Sequence, residues 1–314
     1  MTTVPLVEAK AVTRSFGHVT ALADVTVTVS SFATGLLGAN GAGKSTFMKI
    51  ALGLLAPNGG DVRVLGLDAR TQRPEIRRRV GYMPEHDCLP RDVSGVDFVV
   101  QVAELRGLPR RDAIRRASEV LFAVGLEEER RRAIGTYSLG MKQRCKLAQS
   151  LVHGPDLVVL DEPTNGLDPS GRTEMLSIVR RLSRELGIGV LVSSHVLDDI
   201  ERTCNEVVVL HQGRVVEQQP VAQQVGTGPV SVRVTGDLGG FAGALNDRGV
   251  ATVPDRFGDI RIERADQAVL DLIRDLAVER DVGILRIVED THRLEEVVVG
   301  AMTTPPPSGG ADSA

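Results

Sequence analysis

The sequence predicts an α/β fold that contains a parallel sheet, followed by a smaller α+β module. Two apolar runs, residues 158–160 and 190–192, have the continuity of central parallel strands, and a helical pattern over residues 170–186 separates them. A third apolar run, residues 34–37, precedes a glycine-rich loop and a helical pattern over residues 47–55. Because strands and helices alternate in this way, we expect a parallel sheet covered by helices.

Two further patterns predict the parts that flank this sheet. Residues 6–32 alternate apolar and polar side chains, which is the period of half-buried antiparallel strands. Helical patterns over residues 92–106 and 110–124 predict a helical subdomain at about residues 86–150. We therefore expect an antiparallel β subdomain and a helical subdomain beside the parallel sheet.

The composition changes near residues 226–229, where glycine and proline cluster. After this point the pattern reads strand, helix, two short strands, helix and strand, which indicates a small ferredoxin-like module. A short helix is expected at residues 294–299, and the Pro- and Gly-rich tail is expected to be disordered. We therefore predict a main domain at residues 1–225, a C-terminal accessory α+β domain at residues 226–302 and a disordered tail at residues 303–314.

The composition excludes several classes of protein. A formal net charge of −4 with 42% hydrophobic residues fits a globular protein, and no basic face of the kind that binds nucleic acid is present. No apolar stretch approaches the about 18 residues of a membrane span, and the N-terminal residues lack a signal-peptide core. We therefore expect a cytoplasmic protein, or one held at a membrane only by a partner. The cysteines have no metal-ligand spacing and are expected to be reduced.

The glycine-rich loop matches the pattern G-x-x-x-x-G-K-S/T in full. Its glycines let the backbone turn so that N–H groups point at phosphate oxygens, and a lysine then reaches the β- and γ-phosphates. The hydroxyl that follows the lysine can ligate Mg²⁺. The sequence therefore predicts binding of a nucleoside triphosphate at Gly38, Asn40, Gly41, Gly43, Lys44, Ser45 and Thr46, with Ser45 as the metal ligand.

An acidic pair, Asp161 and Glu162, follows the apolar run at residues 158–160. The carboxyl end of a parallel strand lies beside the phosphate loop in an open α/β sheet. Asp161 is therefore expected to hold Mg²⁺, commonly through water, and Glu162 to polarise an attacking water. A solvated strand-end pair is the alternative interpretation, and the upstream phosphate loop favours the catalytic one.

A second helix start has the features of an anion site. The stretch at residues 137–144 opens an amphipathic helix in which Ser138 is a suitable N-terminal cap and Gly140 permits close approach of an anion. Taken alone, a capped core helix explains the same pattern. The order of all these motifs, however, resembles the ATP-binding cassette (ABC) family over about residues 7–219, with further matches at residues 165–169 and 193–195.

The resemblance implies a P-loop, RecA-like nucleotide-binding domain that uses ATP and Mg²⁺. In that family two cassettes pack head to tail, so a homodimer, or a heterodimer with a second cassette, is implied. Ser138 and Gly140 would touch the γ-phosphate of the other copy, Asp168 would lie at the dimer seam, and His195 would contact the γ-phosphate of its own copy. Phe16 occupies the position where the family usually places an aromatic that stacks on adenine, and a phenylalanine of the core is the alternative interpretation. The other histidines are expected at the surface or as caps: His18, His86, His153, His211 and His292.

Three departures from the family pattern are visible, and one of them, the absence of a Pro-Gly turn at residues 30–33, is interpreted as a shortened turn without catalytic consequence. Tyr137, Leu139 and Met141 replace three of the five residues in the usual Leu-Ser-Gly-Gly-Gln signature. Glu85 stands where the family often has a glutamine that senses Mg²⁺ and the membrane partner, so Glu85 is the implied residue for both roles. A carboxylate there adds negative charge near the metal.

The altered signature and the Pro84-Glu85 pair look like the type-2 exporter branch, which serves drug, lipid or polysaccharide exporters. The resemblance implies an ATPase subunit that dimerises on ATP and drives a separate transmembrane permease for export, on the inner face of the cell membrane. Two alternatives stay open. One is a soluble ABC ATPase that acts on ribosomes or DNA, and the other is a regulatory cassette with impaired hydrolysis.

Overall fold

Two units make up the chain, Met1–Val221 and Ala222–Ala314. The structure is a computed structural model, and it describes residues 4–30, 32–221, 230–254, 259–262 and 265–289. Within the described part, no helix is both long enough and apolar enough to cross a membrane. The two units are described separately below.

The first unit contains ten described strands and seven described α-helices. The strands are β1 (Val7–Phe16), β2 (Val19–Val29), β3 (Ala33–Leu37), β4 (Gly59–Val64), β5 (Leu67–Asp68), β6 (Val80–Met83), β7 (Leu157–Asp161), β8 (Gly189–Ser194), β9 (Glu206–His211) and β10 (Arg214–Pro220). The helices are α1 (Lys44–Ala51), α2 (Arg73–Arg79), α3 (Gly95–Leu105), α4 (Arg110–Ala123), α5 (Leu139–Leu151), α6 (Pro169–Arg184) and α7 (Leu197–Thr203).

The central sheet has the order β10-β9-β3-β8-β7-β6, and all of its neighbouring strands are parallel except the β9–β10 pair. Every residue of β3, β7 and β8 is buried. Strands buried on both faces need apolar side chains at every position, which explains the continuous apolar runs in the sequence. The predicted α/β fold is confirmed, and the carboxyl ends of β3, β7 and β8 meet at one edge of the sheet.

A second sheet, of order β2-β1-β4-β5, is antiparallel. Along the second half of β2 the valines are buried and the threonines between them are exposed, as the alternation predicts. The buried face of this sheet packs in one core with Phe47, Met48 and Ile50 of α1. This sheet therefore holds the helix that follows the phosphate loop.

Helices α3, α4 and α5 form the helical subdomain. Two helices begin at residues other than those predicted from the sequence, namely α3 in this subdomain and α1 after the phosphate loop. Helix α3 begins at Gly95, because the side chain of Ser94 accepts a hydrogen bond from Asp97 N and caps the helix there. Helix α1 begins at Lys44, three residues earlier than predicted, because Gly43 leaves the loop at a left-handed φ of 106° and the backbone turns helical at once.

The second unit has the element order βαββαβ: β11 (Val230–Val234), α8 (Leu238–Asp247), β12 (Thr252–Pro254), β13 (Ile260–Ile262), α9 (Gln267–Glu279) and β14 (Ile284–Glu289). Its antiparallel sheet has the order β12-β13-β11-β14, and its buried valines and isoleucines pack on Phe241, Leu245, Ile273 and Leu276 of the two helices. The predicted element order is confirmed. The helix predicted at residues 294–299 and the tail at 303–314 lie outside the described residues, and the domain limits stay predictions.

Candidate functional site

The phosphate loop connects β3 to α1, and its glycines are required by space. A Cβ on Gly38 would lie 2.4 Å from the carbonyl oxygen of Leu210, and one on Gly43 would lie 2.6 Å from that of Ala21. Backbone oxygens cannot move aside as a flexible side chain can. The loop is therefore built for glycine at these two positions, as the motif predicts.

The side chain of Lys44 lies across the open end of this loop, which is called its mouth below. Its Nζ donates a hydrogen bond of 2.7 Å to the carbonyl of Gly38 and lies 3.1 Å from Oε1 of Glu162. Both side chains of the ion pair are 6% exposed. A buried pair of this kind places the lysine and the carboxylate side by side where the phosphate loop opens.

Ser45 and Asp161 supply two oxygens at the same edge of the sheet. Ser45 Oγ donates to Asp161 Oδ1 at 3.1 Å, and Ser193 Oγ donates to the same oxygen at 2.7 Å. A hydroxyl and a carboxylate, completed by phosphate oxygens and water, are the ligands that Mg²⁺ takes in nucleotide sites. In the described ranges, no group of three or more His, Cys, Asp or Glu side chains could hold a metal ion alone. The donor set therefore fits Mg²⁺ that arrives with a nucleotide.

Glu162 stands between a lysine and a histidine. Its Oε2 lies 2.9 Å from Nδ1 of His195, while its backbone N–H donates to Ser193 Oγ at 2.9 Å. The residue has a φ of 48°, in the left-handed region that non-glycine residues rarely adopt. Three side chains, Lys44, Glu162 and His195, thus meet at the mouth of the loop, as expected for a reaction centre at a phosphate.

A partly buried tyrosine near Asp161 is a neighbour that the sequence did not reveal. Burial, and after it the Asp161 carboxylate, raises the pKa of Tyr82. Tyr82 lies on β6, the neighbour of β7, so the pairing of two strands brings it there.

A buried carboxylate behind the site was also missed by the sequence analysis. Asp199 of α7 accepts hydrogen bonds of 2.6 Å from Thr164 Oγ1 and of 2.6 Å from Arg172 Nε. It ties the segment that follows Glu162 to helix α6, which begins beside Asp168. The available signal was weak, because Asp199 is one of two adjacent aspartates and only tertiary packing shows which one is buried.

Ser138, Gly140 and Asp168 do not belong to this cluster but lie at two other helix starts. Ser138 Oγ accepts a hydrogen bond from Met141 N and caps α5, and Asp168 Oδ1 accepts one from Gly171 N and caps α6. Ser138 and Asp168 are exposed. A Cβ on Gly140 would have Leu167, at 3.9 Å, as its nearest neighbour, so packing within the chain does not require glycine there.

Two predicted nucleotide residues lie at the edges of the site. Phe16 ends β1 with 48% of its surface exposed, and the guanidinium carbon of Arg14 lies 4.6 Å from its ring centroid. Glu85 follows β6, and its Oε1 accepts a hydrogen bond of 3.3 Å from Asn165 Nδ2. The roles of both residues stay predictions.

The other histidines differ in burial. His18 and His86 are exposed as expected, whereas His153 and His211 are partly buried. His292 lies outside the described residues.

Comparisons with known proteins agree with this geometry. The profile of the ABC transporter family matches residues 22–165. The bacitracin transport ATP-binding protein BcrA of Bacillus licheniformis is 39% identical over 186 residues, which cover 59% of this chain and 60% of BcrA. The uncharacterized ABC transporter ATP-binding protein YdbJ of Bacillus subtilis (strain 168) is 32% identical over 271 residues, which cover 86% of each chain.

The solved structures give the same result. One described as the ATP-binding subunit of an ABC transporter is 31% identical and superposes with a TM-score of 0.61, over 69% of this chain and 90% of that one. YdbJ is matched along most of both chains, so the relationship extends beyond a shared phosphate loop. The chain therefore belongs to the ABC transporter family as one of its ATP-binding proteins, with the ATPase fold of that family.

Proposed function

We propose that this chain is the ATP-hydrolysing subunit of an ABC transporter, in which two cassettes close on ATP and drive a separate membrane permease. One observation carries the proposal. Lys44, Glu162 and His195 meet at the mouth of the phosphate loop, with Ser45 and Asp161 in hydrogen-bond contact with each other at the same sheet edge. This set contains a cation for the phosphates, a base for water and ligands for a metal.

The ion pair between Lys44 and Glu162 defines the first step. The phosphate oxygens of ATP take the place of Glu162 at Lys44 Nζ, because this ammonium lies within hydrogen-bond distance of the loop carbonyl of Gly38. The carboxylate is then free to accept a hydrogen bond from water. Its Oε2 stays 2.9 Å from His195, which limits its movement.

The released Glu162 carboxylate and Lys44 then take part in hydrolysis. Water attacks the γ-phosphorus, its proton passes to the Glu162 carboxylate, and the bond to the β-phosphate oxygen breaks to give ADP and phosphate. Lys44 stabilises the charge on the transferred phosphoryl group. Ser45 and Asp161 would hold Mg²⁺, which would supply further neutralisation of that charge.

The site of one chain is half of a composite site. Ser138 and Asp168 are exposed helix caps, and a Cβ on Gly140 would make only an ordinary contact with Leu167. An exposed, capped helix start offers N–H groups to an anion. These residues would therefore complete the ATP site of a second copy, as a homodimer or beside a second cassette.

The transport step needs a partner in the membrane. Among the described residues no helix could span a bilayer, and the proposal assigns the passage through the membrane to a separate permease. BcrA is named for bacitracin transport, and its similarity supports a role of this chain in transport. The chain would then lie on the cytoplasmic face of the membrane, bound through its permease.

Affinity purification tests this function. The tagged full chain carrying Glu162→Gln, which should hold ATP without turnover, is isolated from native membranes with Mg²⁺ and ATP. We expect a membrane protein with several membrane-spanning segments to co-purify with the chain at near-equal stoichiometry. The control variant Asp198→Asn should recover the same protein in equal amount. Recovery of ribosomal or DNA-processing proteins without a permease would overturn the transport assignment.

A further inference from the structure

A buried lysine on α5 has no part in the reaction described above. Lys146 is 3% exposed, and its Nζ lies 2.8 Å from the carbonyl oxygens of both Pro84 and Glu85 and 3.4 Å from that of His86. An ammonium group has three N–H donors, and here each has an acceptor. Burial of a cation is costly unless it is paired in this way, so the arrangement is specific for lysine.

The three acceptors belong to consecutive residues, and Glu85 is the central one. The Lys146 contacts therefore fix the backbone at Glu85 and on both sides of it. At its other end, the Glu85 side chain accepts a hydrogen bond of 3.3 Å from Asn165 Nδ2. Both the backbone and the carboxylate of Glu85 are thus held in place.

Two neighbours on the same face of α5 hold the flanks of this segment. Lys142 Nζ lies 3.3 Å from Asp87 Oδ2, and Gln149 Nε2 donates to the carbonyl of Tyr82 at 2.8 Å. Residues 142, 146 and 149 share one helix face at the i, i+4, i+7 spacing. Only Lys146, however, contacts the backbone of Glu85.

Acidic groups surround Lys146 and oppose the effect of its burial. Burial is the largest influence and lowers the pKa of Lys146, whereas Cys88, Asp87, Glu85 and Asp161 act in the opposite direction. Asp161 is the expected metal carboxylate, so Lys146 stands close to the acidic end of the nucleotide site. An ammonium in this position can order a loop without taking part in the chemistry.

We propose that Lys146 is the positioning residue for Glu85, and that its bonds to three consecutive carbonyls set where that carboxylate stands relative to the metal end of the nucleotide site. The proposal rests on the nucleotide site proposed above. Because Lys146 belongs to the helix that starts at Ser138, it also joins the Glu85 segment to the surface offered to a second copy. Residues that orient groups near a metal commonly change metal affinity when they are replaced.

The test measures Mg²⁺ dependence rather than turnover alone. In the full chain at fixed ATP, Mg²⁺ is titrated and the rise in Tm is followed to its midpoint, with initial hydrolysis rates as a second readout. We expect Lys146→Met, which keeps the length of the side chain but loses all three donors, to raise the Mg²⁺ midpoint about tenfold. Lys146→Gln, which retains amide N–H donors, is used in the same titration if the methionine variant does not fold.

A matched control separates positioning from general loss of stability. Gln149→Met removes a hydrogen bond to the same segment but leaves the Glu85 backbone bonds intact, so we expect a lower Tm with a midpoint changed by less than about twofold. In the Glu85→Gln background, Lys146→Met should shift the midpoint by less than about twofold, because the carboxylate it positions is gone.

The outcomes distinguish this inference from the proposed function. An unchanged midpoint in Lys146→Met, or an equal shift with and without Glu85→Gln, would overturn the positioning role while the ATP site stands. A wild-type chain that shows no Mg²⁺-dependent stabilisation by ATP would contradict the nucleotide site itself.

Discussion

Lys44 and Glu162 form an ion pair of 3.1 Å in which both side chains are 6% exposed. Each charge compensates the other, and either one would be costly if it were buried alone. In the proposed mechanism Lys44 binds phosphate and Glu162 activates water, so ATP would have to separate the pair, which would leave the carboxylate available to water.

The first prediction concerns Glu162→Gln. The amide cannot accept the proton of the attacking water, so we expect turnover to fall about 100-fold or more. ATP no longer competes with a carboxylate for Lys44, so its Kd should fall by about threefold. Steady-state hydrolysis and calorimetric ATP binding check both parts. Retained turnover would remove Glu162 from its role as base, and weaker ATP binding would contradict the competition.

A second prediction concerns the buried carboxylate of Asp199. Asp199→Ala leaves Arg172 and Thr164 without their shared acceptor, and we expect the free energy of unfolding to fall by about 2 kcal/mol. The adjacent Asp198 forms an exposed pair with Arg202, so Asp198→Ala should change it by less than about 0.5 kcal/mol. Urea unfolding measures the free energy of unfolding of both variants. Equal losses would show that the Asp199 network does not hold the α6 and α7 segments together.

A third prediction separates the cap role of Ser138 from its role toward a second copy. Ser138→Ala loses a helix cap, at a cost of about 1 kcal/mol, and Ser94→Ala loses the corresponding cap of α3. We expect only Ser138→Ala to weaken ATP-dependent dimerisation, while both variants bind ATP as monomers with unchanged Kd. Analytical ultracentrifugation checks this expectation. The same dimerisation by both variants would remove Ser138 from the composite site.

A fourth prediction concerns pH. Burial, followed by the charge of Arg106, lowers the pKa of His153 to about 4. In the unfolded chain the imidazole of His153 has a pKa of about 6.5. Between the two pKa values the unfolded chain binds more protons than the folded chain, so stability falls as pH falls. We expect Tm to fall less for His153→Asn than for wild type between about pH 7 and pH 5. The exposed-residue variant His18→Asn should follow the wild type. The same pH dependence of Tm in His153→Asn and in wild type would contradict the lowered pKa of His153.

Much of the fold could be predicted because its signals are local. The apolar runs of β7 and β8 are continuous since both faces of these strands are buried, and the alternation in β2 reports a sheet with one exposed face. The element order of the second unit was also visible from alternating patterns. Helix limits were less certain, because the starts of α1 and α3 depend on Gly43 and Ser94.

The site was predictable where a motif carries its own chemistry and unpredictable where only tertiary packing assembles it. The loop glycines, Lys44 and the strand-end pair follow from spacing. Lys146 and Asp199 gave no such signal, because a lysine or an aspartate on a helix is usually solvated. Their burial depends on contacts with residues 84–86 and with Thr164, which are distant in sequence.

The central claim is that a second copy closes over the ATP bound by the first when hydrolysis is blocked, and one measurement tests it directly. The molar mass of the full-length Glu162→Gln chain is determined by light scattering with and without Mg²⁺ and ATP. The account predicts the 33.6 kDa monomer without nucleotide and a mass twice as large with it. A monomer that has ATP bound at saturating concentration would contradict the composite site.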